Sequence, residues 1–126
     1  MKPNHLIDDW VIFVSKRRTK QCSIQANRYI TRGINEQVTK EIQLRCWYWI
    51  DEKVKKSEVT MDYLQIFEFN RDDHRKTVII IHRQEVPFFI DHHECRIATD
   101  LAMFQVKKLW VIDDQMHQTM LLAEEY

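Results

Sequence analysis

The chain has 126 residues, 44% apolar and 30% charged, a size and balance that fit one globular domain and exclude a disordered polymer. Nineteen Lys/Arg offset nineteen Asp/Glu, so the formal charge is zero. This excludes a generic nucleic-acid binder, whose affinity comes from neutralising phosphates, and no binding to free DNA is expected.

Three widely spaced cysteines, Cys22, Cys46 and Cys95, do not make a disulfide framework, and a reducing cytoplasm is the expected compartment. No run approaches the roughly 18 apolar residues that span a membrane. The opening "MKPNHLIDDW" has two acids before any apolar run, unlike a secretory signal.

In chain order, "DDWVIFVSK" is apolar on both phases, with Trp10, Ile12 and Val14 alternating with Val11 and Phe13, and reads as a buried strand. "NRYITRGI" reads as a second strand, with β-branched Ile30 and Thr31, ended by Gly33. The clearest helix follows, with Thr39 as N-cap and Ile42, Cys46, Trp49, Ile50 and Val54 at three- and four-residue steps. Lys53, Lys55 and Lys56 in its last turns offset the C-terminal dipole.

"DYLQIFEFN" alternates, with Tyr63, Gln65, Phe67 and Phe69 on one face and Leu64, Ile66 and Glu68 on the other. The polar turn "RDDHRK" joins it to "TVIIIHRQEV", stopped by Pro87. Residues 87–106 stay open, with only weak helical spacing in "ATDLAMFQV". "KKLWVIDD" and "TMLLAEEY" form another pair around "DDQMHQ". The order predicts an α+β fold, a mainly antiparallel sheet with one principal helix packed on one face.

Charge is uneven along the chain. Residues 1–63 carry 12 Lys/Arg against 8 Asp/Glu, a balance of +4, and residues 64–126 carry 7 against 11, a balance of −4. The basic excess peaks at "KRRTK", where Arg17, Arg18 and Lys20 are either a solvated loop or a docking patch for a partner. In "CWYWI", Trp47, Tyr48 and Trp49 cannot share one helix face, because successive residues turn by about 100°. Trp47 or Tyr48 is therefore left toward solvent as a candidate partner anchor. Phe88 and Phe89 of "VPFFI" raise the same question.

The densest supply of metal ligands is "IDHHECR", residues 90–96. If extended, it projects His93 and Cys95 to one face and His92 to the other; if helical, His92 and Cys95 share a face. Either way it supplies half of a tetrahedral zinc site, and Cys22 heads the candidates for the remainder, followed by His5, His74 and His117. The alternative is an ordinary polar loop. Cys46 lies on the apolar helical stripe and reads as a small hydrophobe. His82 with Glu85, Glu124 and Glu125 could be drawn as acid/base machinery, but strand-end packing is the simpler reading. No Gly-rich phosphate loop, nucleophile elbow or paired CxxC occurs, so an enzyme is not expected.

The stretches "NRYITRGIN", "EIQLRCWYWID", "DYLQIFEF", "HRQEVP" and "VIDDQMHQTMLLAEEY" resemble, in order and spacing, the small Firmicute family known as domain of unknown function 960. The resemblance covers about residues 27–126 and implies one compact α+β domain there, preceded by an extension over 1–26. It implies no catalytic residues. The extension with Cys22, and "DHHEC", depart from the family pattern, which is why a shared zinc is expected of them. The family's presence in phages and mobile elements points to a non-enzymatic inhibitor that binds a larger host protein. Its sharpest form is an anti-CRISPR-like inhibitor of an RNA-guided type II nuclease. A housekeeping regulatory or structural domain is the competing expectation, and a small metal-dependent hydrolase a third.

Overall fold

The computed structural model describes residues 11–18, 25–57, 59–97 and 104–126, with backbone alone for 11–18 and 25–26. The strands are β1 (Val11–Arg18), β2 (Gln25–Thr31), β3 (Leu64–Asp72), β4 (Thr77–Gln84), β5 (Phe89–Cys95), β6 (Lys108–Asp113) and β7 (His117–Leu122). Helices α1 (Arg32–Gln37) and α2 (Lys40–Lys56) lie between β2 and β3, and a 3-10 turn, Ala123–Glu125, follows β7. All seven strands join one sheet in the order β1-β2-β7-β6-β3-β4-β5. Among the described residues only β2 and β7 pair in parallel. The fold is α+β with the sheet dominant, and β1, from the segment expected to be an extension, pairs antiparallel with β2.

The alternation in β3 sorts its faces as the sequence predicts. Phe67 and Phe69 are buried with Ile80 of β4, Leu109 of β6 and Met120 of β7 in one core beneath α2. The helix contributes Ile42, Cys46, Trp47 and Ile50 to that core. Each such burial is worth about 2 kcal/mol relative to exposure, so this stripe, rather than helix propensity, holds α2 in place.

Thr39 caps α2 as expected, its hydroxyl accepting from the Ile42 N–H at 3.3 Å. At the other end Ser57 takes the left-handed conformation, φ 53°, that more often falls to glycine. The hairpin turns are likewise built without glycine. The Asp72 carboxylate accepts from the His74 and Arg75 amides, and Asp114 Oδ1 accepts from Met116 and His117.

Two sequence expectations change here. Gly33 does not end β2; the strand stops at Thr31, whose hydroxyl caps α1 by accepting from the Ile34 N–H at 3.3 Å. Thr31 Oγ1 also donates to Glu125 Oε1 at 2.6 Å, while the amides of Gly33 and Leu122 donate to the same carboxylate. A Cβ on Gly33 would lie 2.6 Å from Glu125 Oε2, so the chain's one glycine is needed for this close approach. Residues 89–95, left open by the sequence, form edge strand β5.

Beneath the C-terminal half of α2, Arg28 crosses from β2. Its Nη1 donates to Asp51 Oδ2 at 3.2 Å, Nη2 donates to Asp51 Oδ1, and Nε donates to Gln118 Oε1 at 2.8 Å. Gln118 in turn donates to Asp113 at 3.2 Å. The guanidinium lies 4.5 Å from the Trp47 ring centroid, a cation–π contact on the buried side of the helix.

Candidate functional site

The strand "FIDHHEC" alternates in exposure because one side lies under α2 and the other meets solvent. Ile90, His92 and Glu94 are exposed, whereas Cys95 is buried. His93 and Cys95 thus share a face, the outcome expected of an extended segment, and His92 turns the other way.

His93 stacks flat on Trp49 of α2, with centroids 4.0 Å apart and planes at 8°. Asp91 forms an ion pair with Lys53 at 2.8 Å, and the Lys53 ammonium also sits 4.5 Å from the Phe89 ring centroid. Between helix and strand lies a cleft of about 440 Å³. Its walls are Tyr48, Trp49, Glu52, Lys53 and Lys56 from α2, with Asp91 and His93 from β5. The aromatic run and the histidine-rich stretch, read separately in the sequence, form the two walls of one site.

The floor of this region is neutral and heavily hydrogen-bonded. His82 is fully buried, stacked 4.4 Å from Phe67 and edge-on to Phe89. Its Nε2 meets Gln65 Oε1 at 2.7 Å, and Gln65 Nε2 donates to Gln84 Oε1 at 2.8 Å. Gln84 Oε1 also accepts from the Asp62 N–H, and its Nε2 donates to the carbonyls of Thr60 and Pro87. This pins the turn after β4, which contains a cis Val86–Pro87 peptide.

Burial pushes the His82 pKa down to about 3, with Asp91 opposing, so the ring is a neutral packing element at ordinary pH. Burial also depresses the His93 pKa, again against the pull of Asp91. The acid/base grouping around His82 does not assemble: Glu125 is committed to Thr31, Gly33 and Leu122, and Arg83 pairs with Glu68.

Of the expected metal ligands, His93 and Cys95 share one face of β5 and His92 turns to the other. Burial raises the pKa of the Cys95 thiol, with Arg45 opposing, and raises that of Cys46 well above the ordinary value, so both stay protonated. Among the described residues no three His, Cys, Asp or Glu side chains gather as a metal site requires. Cys22 and His5 lie outside the described residues, as do Trp10, Lys20 and most of "ATDLAMFQV". The strands flanking Cys22, β1 and β2, stand at the opposite side of the sheet from β5.

The expected partner anchors divide. Tyr48 is 57% exposed and lines the cleft, but Trp47 is only 4% exposed, because it lies four residues after Gln43 and three before Ile50 on the buried stripe, where it packs against Arg28. Trp47 is therefore a core residue and not a surface anchor. Arg17 and Arg18 belong to β1, the edge strand at the other end of the sheet order from β5. Sequence reading missed Lys53 and Asp91, which pair across 38 positions and leave no local pattern. The sequence "FIDHHEC" itself does not alternate, two apolar residues being followed by four polar ones, so the alternating exposure of the strand left no period-two signal to read.

No helix of the described residues is long and apolar enough to cross a membrane. No curated protein matches the chain. A solved crystal structure of a protein of unknown function from Enterococcus faecalis is similar, with a TM-score of 0.67 at 19% identity, covering 79% of this chain and 89% of that one. At that identity the likeness is one of fold. The family model described as staphylococcal protein of unknown function, DUF960, matches residues 27–125. From β2 to the closing turn, the chain belongs to the DUF960 family.

Proposed function

We propose that this protein is a non-catalytic binding domain that docks on a larger protein through the border formed by α2, β5 and the turn before β5. The observation that carries the reading is the concentration of exposed apolar side chains there. Leu44 and Tyr48 stand on the outer surface of α2, and Val86, Phe88 and Ile90 follow along the turn and strand. Water solvates such groups poorly, and partner surfaces cover them. The sharpest version, drawn from the family's presence in mobile elements, takes an RNA-guided type II nuclease as the partner. A housekeeping domain would use the same border on a different protein.

The test has two arms. Excess purified protein should lower target-DNA cleavage by the nuclease and co-elute with it; undiminished cleavage removes the nuclease version. Cross-linking in the native host, comparing the natural chain with a Tyr48→Glu/Phe88→Glu variant of unchanged melting temperature, tests the docking border itself. A partner captured equally well by both overturns it.

A further inference from the structure

We propose that the outer edge of β5 accepts an extended segment of the partner as an eighth strand, with an aromatic side chain of that segment seated in the α2–β5 cleft. This rests on the docking reading above and adds the kind of partner and the way it is held.

The two edges of the sheet are treated differently by the sequence. β1 carries Lys16, Arg17 and Arg18, and its pairing with β2 slips between Phe13 and Ser15. Basic residues and an irregular register are devices that keep an edge from recruiting another strand. β5 has neither. Phe89–Cys95 contains no lysine, arginine or proline, and its register with β4 runs unbroken from Gln84↔Phe89 to Val78↔Cys95. Among the described residues no strand pairs with its other side. A regular row of backbone N–H and C=O groups is thus presented outward, and the chemistry that satisfies such a row is another strand.

The helix supplies specificity. Side chains of an added strand would alternate. Those on one side would lie beside exposed Ile90, His92 and Glu94, and those on the other would point toward the cleft. There Tyr48, Trp49 and His93 present ring surface, Lys53 is already neutralised by Asp91, and Glu52 and Lys56 add one charge of each sign, so the lining carries no net charge. That lining suits an uncharged aromatic group better than an ion.

A second copy of this chain fits less well. The inward residues of its β5 would be Phe89, Asp91, His93 and Cys95, which are already engaged beneath their own helix. The occupant is therefore an extended segment with no helix packed on its cleft-facing side.

A phage-displayed random dodecapeptide library selected on the full-length chain tests this. Enriched peptides should alternate, with aromatic residues at every second position, and Tyr48→Ala should weaken their binding. Synthetic forms N-methylated at alternate backbone positions should lose affinity by about tenfold for each hydrogen bond removed. Hydrogen exchange of the Phe89–Cys95 amides should slow on binding. Peptides that bind but tolerate N-methylation, with protection confined to α2, would overturn strand addition while leaving the docking border intact. Failure to enrich any alternating peptide would also overturn it. So would sedimentation of the free chain as a dimer with those amides already protected.

Discussion

Two polar nodes lie under the same helix and are built on opposite plans. One is charged: Arg28 reaches Asp51 and Gln118, with the Trp47 ring against it. The other is neutral: His82, Gln65 and Gln84 pass hydrogen bonds along β3 and β4 to the backbone of the loop before β3 and the turn after β4. The charged node joins helix to sheet by one strong link, so removing either partner strands a buried charge. The neutral node divides its stabilisation among many modest bonds and holds loops in place. One clamps α2; the other shapes the border proposed for docking.

The comparison is sharpest where one charge of the buried pair is removed. Arg28→Met should lower stability by about 3–5 kcal/mol in urea denaturation, since Asp51 loses the guanidinium paired with it and Gln118 loses a donor. Adding Asp51→Leu should recover much of that loss. A single-variant cost under about 1 kcal/mol would mean the pair is solvated and the two nodes do not differ as described.

Acid separates the nodes next. The folded protein keeps His82 neutral down to about pH 3, whereas the unfolded chain takes up that proton near 6.5. Stability therefore falls as pH drops from about 6.5 toward 3, because the unfolded state binds more protons in that window. By about pH 4.5 the loss from this ring should be about 2–3 kcal/mol, two units at about 1.36 kcal/mol each. His82→Gln should flatten the profile over that range. An unchanged slope in that variant would show that other groups carry the acid sensitivity.

A smaller effect is expected from Gln84→Met, which removes one acceptor and one donor group serving Asp62, Gln65, Thr60 and Pro87. Its cost should be about 2 kcal/mol, accompanied by faster hydrogen exchange at the Asp62 amide. An unaltered exchange rate there would show that the loop is held by something else. The smallest effect serves as the control at the far edge. Replacing Arg17, Arg18 and Lys20 by alanine should change stability by no more than about 0.5 kcal/mol per site. If "KRRTK" assists docking, the triple variant should associate more slowly at low salt; an unchanged rate leaves it a solvated segment.

Much of the fold was legible because its signals are local. The Thr39 cap, the stripe from Ile42 to Ile50, the alternation of β3 and the aspartate turns all act within a few residues. What escaped depends on distant partners. Helix α1 is fixed partly by Glu125, 92 positions from Gly33. Trp47 meets Arg28 from β2 only once the helix lies on the sheet, and Asp91 finds Lys53 only once β5 lies beside the helix. Polar residues occupy both faces of "DHHEC", an arrangement that an edge strand half covered by a helix permits.

The placement of β7 has a consequence for how the molecule is made. It is the last strand in the chain, yet it stands between β2 and β6 and so joins the first hairpin to the rest of the sheet. During synthesis β1 and β2 must wait for His117–Leu122 before their inner edge is covered, and the Glu125 latch on α1 forms later still. A free chain truncated after Asp114 would leave two unfinished sheets, β1-β2 and β6-β3-β4-β5, each with an edge open to the wrong neighbour. Closure of the sheet therefore depends on β7, whichever of the other pieces folds first.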